Sequence, residues 1–386
     1  MQHRAVQRVL IVGAGIGGIV AAIALQRAGI DVTVFERVKE QQEVGAGLSL
    51  WANAIRALQK IGLAEMLESI GKPLPSQSIL SWQGDIISET PVKTLAERYG
   101  TPLIAVHRAD LQAALLKAVG DSVVHSGVAC TGFQQDETGV RVQLANGQEV
   151  AADLLLGADG IRSTIRAQMF GAAKPRYAGY TAWRGIGHTT SGRWNDQMAT
   201  ETWGNGRRFG LVPLSEGRIY WFATLNTPEG TPDPQTGRKQ HLLKLFHTCH
   251  APVSAVIEAT DEAVILHNDI YDRPSLSHWS NGRVTLLGDA AHPMTPNMGQ
   301  GACQAIEDAV TLATCLTTQS TIASALQAYE AQRLKQANKV VQRSYRIGQV
   351  AQWEQPLAAQ ARNTLFKLLP RQVLLKQLEW VLQSGT

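Results

Sequence analysis

The N-terminal part of the chain predicts a strand, a turn, a helix and a second strand. Val9–Val12 is an uninterrupted apolar run, as expected of a strand buried on both faces. Gly13–Gly18 follows, and Ile19–Ala28 is then rich in alanine, with Gly29 placed to end a helix. Asp31–Glu36 is another apolar run. The pattern predicts a βαβ unit with parallel strands and a right-handed crossover.

The pattern in the middle of the chain changes to short segments and then becomes rich in tryptophan. From about Tyr177 to Asp272 it predicts strands. The tryptophans of that region are Trp183, Trp194, Trp203 and Trp221. The other predicted elements are mixed segments over Ser76–Pro102, a helix over Arg108–Val119, strands over Val123–Leu144, a hairpin turn at Asn146-Gly147, a buried strand over Asp153–Ala158, a helix opening at Gly160, and a buried strand over Arg283–Leu287.

The nucleotide-type pattern resumes after the strand-rich region, so that region is predicted to be an insertion. The predicted fold class is α/β (α+β overall), with a Rossmann-like domain, an inserted, mostly antiparallel β-sheet domain and C-terminal helices. The first domain is predicted to be discontinuous, over residues 1–75, 103–176 and 273–345. Residues 76–102 and 177–272 form the sheet domain, and 346–386 form the C-terminal helices.

Composition excludes several classes of protein. The chain has 386 residues, of which 44% are hydrophobic and 18% charged, which indicates a globular protein with a sizeable core. The net charge of +4 comes without a dense block of Lys and Arg, so a nucleic-acid partner is not indicated. No Cys/His pattern has the spacing of a zinc site. The cysteines are interpreted as reduced thiols of a cytoplasmic protein; they are Cys130, Cys249, Cys303 and Cys315.

Two segments resemble membrane or export signals. Basic residues (His3, Arg4 and Arg8) precede an uncharged stretch, as in a signal peptide, but the glycines in that stretch favour the strand–turn–helix interpretation. No stretch has the length of a membrane span. Arg371–Gln383 carries an apolar stripe, which we expect to pack on the body of the protein rather than on a membrane surface.

A phosphate-binding motif occupies the first predicted turn. Gly13, Gly15 and Gly18 form G-x-G-x-x-G between a strand and a helix. The first glycine permits the turn, the second lets the backbone approach a pyrophosphate, and the third allows close helix–strand packing. Glu36 ends the second strand about 20 residues later, where an acid binds ribose hydroxyls and disfavours a 2′-phosphate. The motif predicts a dinucleotide, but it does not separate NAD from FAD.

Three further motifs resemble those of a known family. Gly157-Ala158-Asp159-Gly160, with Ser163 and Arg166 after it, is similar to the "DG" motif of flavoprotein monooxygenases. The segments 288–293 (GDAAHP) and 296–301 (PNMGQG) are similar to the family's "GD" motif and flavin-contacting helix start. Arg108 matches a position near the FAD pyrophosphate. The chain therefore resembles, over residues 6–345, the single-component FAD-dependent monooxygenases of the para-hydroxybenzoate hydroxylase type.

The resemblance implies a set of FAD-binding positions. Asp289 is expected to accept a ribityl hydroxyl, and Asp159 is expected near the flavin, with a purely structural turn residue as its alternative. The helix start at Gly299 to Gly301 would stabilise anionic reduced flavin. The full set of expected cofactor-binding residues is Gly13, Gly15, Gly18, Glu36, Arg37, Gly47, Arg108, Val128, Asp159, Asp289, Pro296, Gly299 and Gly301.

The resemblance also implies a reaction. NADH or NADPH binds transiently and reduces the bound FAD, and dioxygen then gives a flavin C(4a)-hydroperoxide that hydroxylates a small aromatic or N-heteroaromatic substrate. The expected partners are that substrate and dioxygen. The sequence leaves open whether the protein forms a homodimer. An epoxidase or hydroxylase of a larger apolar substrate, such as a quinolone or terpenoid, is one alternative. A reductase or dehydrogenase without oxygen insertion is another, and a non-enzymatic FAD-binding module is a third; the absence of a W-x-W-x-I-P segment disfavours a halogenase.

The expected catalytic residues are Arg208, Tyr220 and Asn297. Arg208 and Tyr220 match substrate-contacting positions of the FAD-dependent urate hydroxylases, which carry Asp where this chain has Asn297, as in zeaxanthin-epoxidase-like enzymes. A four-residue hairpin loop would put Arg208 and Tyr220 on opposite faces of the sheet, and a one-residue bulge would put them on the same face. Ala182–Gly185 (AWRG) resembles a strand of salicylate-hydroxylase-like enzymes. His292 is interpreted as a satisfied turn histidine rather than a general base.

Overall fold

The computed structural model describes residues 6–40, 46–188 and 196–383. Trp194 and the basic residues His3 and Arg4 lie outside these ranges, so the interpretations that involve them are not addressed by the structure.

A six-stranded sheet forms the base of the nucleotide domain. Its strands, in spatial order, are β18 (Ser280–Asn281), β19 (Val284–Leu286), β12 (Leu154–Gly157), β1 (Arg8–Val12), β2 (Asp31–Glu36) and β8 (Val124–Ser126). All are parallel except β18, which pairs antiparallel with β19. The β1 and β12 strands are buried on both faces, which explains their continuous apolar runs. The predicted βαβ unit is confirmed.

Helices pack around this sheet and against the seven-stranded sheet of the second domain, and the last of them ends at Leu382. The helix α1 (Ile16–Arg27) packs against α9, where Gly17 leaves room for Leu287 and Ala305. The helices of the described ranges are, in addition, α2 (Ala52–Lys60), α3 (Ala64–Ile70), α4 (Val92–Tyr99), α5 (Arg108–Val119), α6 (Thr164–Phe170), α7 (Arg238–Phe246), α8 (Val253–Ala259), α9 (Gly301–Thr318), α10 (Ile322–Ala351), α11 (Pro356–Leu368) and α12 (Arg371–Leu382). Short 3-10 turns cover Glu262–Val264, Gly288–Ala290 and Pro296–Met298.

A seven-stranded sheet builds the second domain. In spatial order its strands are β17 (Leu266–Asp272), β13 (Arg176–His188), β16 (Arg218–Asn226), β15 (Arg207–Pro213), β14 (Met198–Trp203), β5 (Ser76–Ser81) and β6 (Ile86–Thr90). Only the β14–β5 pair is parallel. One face covers a core of aromatic and aliphatic residues against α7 and α8. The other face is turned toward the nucleotide domain, since Tyr220 and Ile186 on that face pack against its core.

Two three-stranded sheets complete the described part of the fold. One contains β3 (Gly47–Leu50), β7 (Leu103–His107) and β4 (Gly71–Leu74), and the other contains β9 (Cys130–Gln135), β10 (Val140–Leu144) and β11 (Glu149–Ala152). Gly147 has a positive φ of 83° in the turn between β10 and β11, as the predicted hairpin requires.

The structure corrects two element boundaries. The helix expected to open at Gly160 begins at Thr164, because Ser163 caps it by accepting a hydrogen bond from the Arg166 backbone N–H. The predicted boundary at 345/346 falls inside α10, which runs on without a break to Ala351. The division into domains otherwise stays a prediction. Within the described ranges, no helix combines the length and apolarity needed to cross a membrane.

The last helix of the described ranges, α12, packs on the body of the protein. The apolar stripe of α12 faces inward, with Val381 and Leu382 buried and Leu378 partly buried against the main core. The expectation that this helix packs on the body is therefore met by the contacts.

Candidate active site

The glycine turn has the geometry that its motif predicts. Gly13 has a φ of +108°, and a Cβ atom there would lie 2.3 Å from the Ala158 carbonyl oxygen. A Cβ atom on Gly18 would lie 2.0 Å from the Gly13 carbonyl oxygen, so this position requires glycine for packing. A Cβ atom on Gly15 would meet nothing within 4 Å. The second glycine thus borders open space at the N-terminus of α1, which has no side-chain cap.

Glu36 lies at the end of β2 beside this turn. Its carboxylate accepts hydrogen bonds from the backbone N–H groups of Ala14 at 2.8 Å and Val38 at 2.9 Å. The Val128 backbone N–H donates to the Glu36 carbonyl oxygen at 2.8 Å, so Val128 lies next to the same strand end. Arg37 follows and is exposed. These residues line the region where the sequence predicts a nucleoside.

Asp159 lies on the opposite side of the Gly13 turn. Its Oδ2 accepts hydrogen bonds from the Thr164 and Ile165 backbone N–H groups at 2.7 and 3.3 Å, so it supports the start of α6. Its Oδ1 is buried and has no hydrogen-bond partner among the described residues. Burial raises the pKa of Asp159, and hydrogen bonds from Ser163 and nearby backbone groups oppose that rise. The structural role is therefore present, and one oxygen stays available to another group.

Asp289 and Arg108 lie close enough for the charge of Arg108 to act on the Asp289 carboxylate, and we call the space beside these two exposed residues the cleft. Asp289 lies in the 3-10 turn after β19 and is exposed on one side, yet burial raises its pKa. The exposure of Asp289 and the effect of burial on its pKa are compatible when the carboxylate is open to solvent on one side and surrounded by protein atoms on its other sides. The positive charges of His292 and Arg108 oppose the rise. Neither Asp289 nor Arg108 has a side-chain hydrogen bond or ion pair with a described residue, so both are free to bind a ligand.

The N-terminus of α9 lies beside the turn that carries Asp289, since Gly288 of that turn packs against Ala305 of α9. Pro296 begins the preceding 3-10 turn, and Gly299 ends it with a φ of +60° that favours glycine. Gly301 then starts α9, and the N-cap residue Gln300 makes no side-chain cap. The first backbone N–H groups of a helix have no partner within that helix, and its dipole attracts anions. The α9 terminus is therefore suited to a negatively charged group.

These features fit an extended dinucleotide. Two uncapped helix N-termini, at Gly15 and Gly301, belong to helices that pack together, and unpaired Asp289 and Arg108 lie in the same cleft. The open space over Gly15 is where a diphosphate contacts such a turn. The residues therefore fit FAD.

Arg208 and Asn297 are brought into direct contact. The Arg208 Nη2 donates to Asn297 Oδ1 at 2.8 Å, and the Tyr180 hydroxyl donates to the same oxygen at 3.2 Å. The Asn297 Nδ2 donates to Thr295 Oγ1 at 2.9 Å and to the Ser344 carbonyl oxygen at 3.0 Å. Both ends of the amide are thus bonded, so the orientation of Asn297 is fixed.

The remaining nitrogens of Arg208 also have protein partners. Its Nη1 donates to Glu201 Oε1 at 2.8 Å, and its Nε donates to Gln352 Oε1 at 2.7 Å. Arg208 is only 3% exposed and lies over the Tyr180 ring at 5.4 Å. Its charge is therefore balanced within the protein, and the arrangement favours positioning of Asn297 over a free clamp for an anion.

Tyr220 lies on the same face of the sheet as Arg208. Pro213 pairs with Ile219 and Arg208 with Thr224, so the hairpin has the longer loop that places Arg208 and Tyr220 together. Glu216 and Gly217 both have positive φ in that loop. Burial raises the pKa of Tyr220, and the charge of Arg184 opposes that rise. Arg208 and Tyr220 therefore lie on the same face, as in the second alternative, but the β15–β16 ladder reaches this register without a shift between its paired residues.

Gly47 lies under the Tyr220 ring. A Cβ atom on Gly47 would be 2.6 Å from Tyr220 Cγ, so glycine is needed there for this packing. Tyr220 thereby links the sheet domain to β3. The expectation that Gly47 contacts the cofactor stays a prediction.

A buried polar network lies behind the GD motif. The His292 Nε2 is 2.5 Å from Asp308 Oδ2, and the Arg333 Nε donates to Asp308 Oδ1 at 2.8 Å. Arg333 also pairs with Glu307, at 3.5 Å. His292 is 1% exposed. The interpretation of His292 as a satisfied histidine holds for Nε2 only, because its Nδ1 is buried without a hydrogen-bond partner among the described residues. The network ties α9 and α10 to the turn at Gly288 through its backbone N–H.

Sequence reasoning missed the partners of the predicted residues. Tyr180, Glu201 and Gln352 come from three separate elements, and no local pattern links them to Arg208. One signal was available at Gly348, a glycine inside α10. A Cβ atom there would lie 2.3 Å from Asn297 Nδ2, so the glycine lets Asn297 pack on the helix.

Comparisons with known proteins agree with this geometry. The family described as "FAD binding domain" matches residues 7–344. Aurachin C monooxygenase/isomerase of Stigmatella aurantiaca is 45% identical over 361 residues, which cover 94% of each chain. The 2-heptyl-3-hydroxy-4(1H)-quinolone synthase of Pseudomonas aeruginosa (strain UCBPP-PA14) is 34% identical over 368 residues, again 94% of each chain. The crystal structure of Klebsiella pneumoniae HpxO complexed with FAD and uric acid has a TM-score of 0.93 at 31% identity, with 98% of this chain and 97% of that chain covered.

Proposed function

Because this chain belongs to the FAD binding domain family and its relatives are FAD-dependent monooxygenases, we propose that it oxygenates a planar N-heteroaromatic ring of the 4-quinolone type. The resemblance to the para-hydroxybenzoate hydroxylase type, the fold class and the FAD cofactor are confirmed by the family and by a neighbour crystallised with FAD. The quinolone ring is the finer step and is our proposal. A quinolone belongs to the larger apolar substrates that the sequence leaves open as an alternative.

The observation that carries the proposal is the composition of the sheet face toward the cleft. Tyr220 and Phe222 lie on this face with ring centroids 6.2 Å apart. Gly210 lies under the Phe222 ring, since a Cβ atom there would be 2.0 Å from Phe222 Cε1. Aromatic faces of this kind favour a flat ring by offset or edge contacts.

The polar end of the site is balanced in charge. Arg208 is paired with Glu201, and Asn297 is an uncharged amide with both ends bonded. A free organic acid held by a bidentate Arg208 is therefore disfavoured. One relative of matching length is named as a synthase of a heptyl-substituted quinolone, which supports a ring with an apolar substituent.

Bound FAD would supply the redox and oxygen chemistry, with NADH or NADPH and dioxygen as co-substrates. The chain's own residues hold and shield the reactants. The N-terminus of α1 and Glu36 would bind the nucleotide half, Asp289 and Arg108 the ribityl and pyrophosphate groups, and the α9 terminus the flavin ring. We assign Arg208, Tyr220 and Asn297 to the substrate end, where Arg208 orients Asn297 and Tyr220 closes the site against Gly47.

A substrate screen tests the proposal. We expect 4-quinolones with an alkyl chain to stimulate NADH or NADPH oxidation and to gain the mass of one oxygen atom, more efficiently than urate or salicylate. Preference for urate or salicylate would contradict the quinolone class. Nucleotide oxidation that no ring compound stimulates would favour the reductase alternative, and flavin binding without any turnover would favour the non-enzymatic module.

We further propose that the protein works in the cytoplasm. All four cysteines are free thiols, as expected in a reducing compartment. The homodimer considered from the sequence stays a prediction, and sedimentation of the holoenzyme measures it.

A further inference from the structure

Arg184 is a second arginine on the cleft side of the sheet. It lies in β13, directly opposite Phe222 of β16, and therefore on the same face as Phe222 and Tyr220. Arg184, Phe222 and Gly210 are cross-strand neighbours and form one row across the three strands β13, β16 and β15. That row lies between the row of Arg208 and the row of Tyr220. Arg184 is thus in the middle of the face that we assign to the substrate.

Arg184 differs from Arg208 in having no partner. It makes no hydrogen bond, ion pair or ring contact with any residue in the described ranges, whereas each nitrogen of Arg208 has one. It is partly buried, and its charge acts on the neighbouring Tyr220 hydroxyl: burial raises the pKa of Tyr220, and the charge of Arg184 opposes that rise. Taking a cation out of water is unfavourable unless a partner compensates. Since the described part of the fold supplies none, the geometry indicates that a ligand does.

The surroundings restrict the ligand. A guanidinium donates hydrogen bonds in a plane and accepts none, so its partner is a hydrogen-bond acceptor, such as an oxygen with a full or partial negative charge. The Phe222 and Tyr220 rings beside it favour a flat aromatic body. A phenolate or the carbonyl of a 4-quinolone meets both requirements, because each places such an oxygen on the ring itself.

We propose that Arg184 is a substrate-binding residue that fixes the orientation of the ring by donating hydrogen bonds to a ring oxygen. This inference rests on the proposed function, since it takes the substrate to be a flat ring on this sheet face. Arg208 keeps the separate task of holding Asn297. In this arrangement Arg208 binds protein groups and Arg184 binds the substrate.

Binding to the oxidised holoenzyme tests the inference without turnover. The probes are 4-hydroxyquinoline and quinoline, which share the ring and differ in the oxygen, and binding is followed by the change in flavin absorbance. Wild type is expected to bind 4-hydroxyquinoline about ten- to a hundredfold more tightly than quinoline, the range for a hydrogen bond to a charged group. Arg184→Met is expected to remove this preference, and Arg184→Lys to restore part of it, because lysine offers a charge without the fork.

A control and a second measurement separate the alternatives. Arg346 is exposed on α10 and makes no hydrogen bond, ion pair or ring contact with a described residue, so Arg346→Met removes the same charge from elsewhere and should keep the preference. FAD content and FAD affinity should be unchanged in Arg184→Met. A loss of FAD affinity would overturn the inference by assigning Arg184 to the cofactor.

The remaining outcomes distinguish the inference from the proposed function. Equal preference in wild type and Arg184→Met would overturn the role of Arg184 and leave the monooxygenase proposal intact. Suppose that wild type prefers 4-hydroxyquinoline over quinoline but inserts no oxygen atom into any quinolone. That result would contradict the proposed function and leave the inference about Arg184 standing. Failure of wild type to bind either probe would overturn both.

Discussion

Replacing Asp289 by alanine removes a carboxylate that contributes no side-chain hydrogen bond to the described fold. Its proposed partner is a ribityl hydroxyl of FAD, and a hydrogen bond to a charged group is worth about 1.5–3 kcal/mol. We therefore expect the dissociation constant of FAD to rise about ten- to a hundredfold. Asp289→Asn should lose less, because the amide oxygen still accepts a hydrogen bond without the charge.

The stability of the cofactor-free protein should change in the opposite direction. Burial raises the pKa of Asp289 in the folded chain, so the folded chain binds the proton more tightly than the unfolded chain does. The ionised carboxylate is therefore unfavourable for folding at neutral pH, and this contribution improves as the pH falls into the carboxyl range. Cofactor-free Asp289→Ala should unfold at the same or a higher temperature than wild type.

The assay is titration of the cofactor-free protein with FAD, followed by flavin fluorescence, together with thermal unfolding. Asp121 is an exposed aspartate outside the cleft, so Asp121→Ala is the matched control and should keep the wild-type affinity. Unchanged FAD affinity in Asp289→Ala would refute the role that we assign to the carboxylate. Weaker binding together with a lower unfolding temperature would refute the reasoning that Asp289 serves the cofactor and not the fold.

The other predictions concern glycines and the buried network. Gly15→Val should abolish FAD binding while keeping the unfolding temperature, because a Cβ atom there meets no protein atom within 4 Å. Gly18→Ala should destabilise the cofactor-free protein by about 1–3 kcal/mol, because its Cβ atom would lie 2.0 Å from a carbonyl oxygen. Thermal unfolding and FAD titration check both variants. Gly348→Ala should displace Asn297 and weaken 4-hydroxyquinoline binding with FAD content unchanged, as absorbance titration would show. Asp308→Asn should cost about 1.5–3 kcal/mol, because it removes the charge of one of the two carboxylates that pair with buried Arg333 while Glu307 stays in place. The Asp308 pKa is lowered by its positive neighbours against burial, so this stabilisation exists above the ordinary carboxyl range and is lost as the pH falls, which chemical denaturation at several pH values measures.

The nucleotide half of the site was predictable because its signals are local. The turn at Gly13, Gly15 and Gly18 and the strand ending at Glu36 depend on neighbouring residues, and the observed strand Asp31–Glu36 has the predicted bounds. The helix Arg108–Val119 is likewise as predicted, since its apolar spacing is local.

The substrate half was not predictable to the same degree, because it depends on register and on distant partners. One residue more or less in the hairpin loop moves Tyr220 to the other face of the sheet, and the sequence permits both. The Arg208 guanidinium donates hydrogen bonds to Glu201, which lies on the neighbouring strand β14, and to Gln352, which follows the last residue of α10. Only the tertiary structure shows that Arg208 is fully paired and that Arg184 has no partner among the residues that the structure describes.

The central claim is that this chain inserts an oxygen atom from dioxygen into its substrate. The most direct measurement is turnover of the best alkyl-quinolone from the screen, with NADH or NADPH, under isotopically labelled dioxygen in unlabelled water. We predict that the product carries one labelled oxygen atom for each nucleotide oxidised in productive turnover. Product labelled only from water, or nucleotide oxidation that gives hydrogen peroxide and no oxygenated product with any ring compound, would contradict the account.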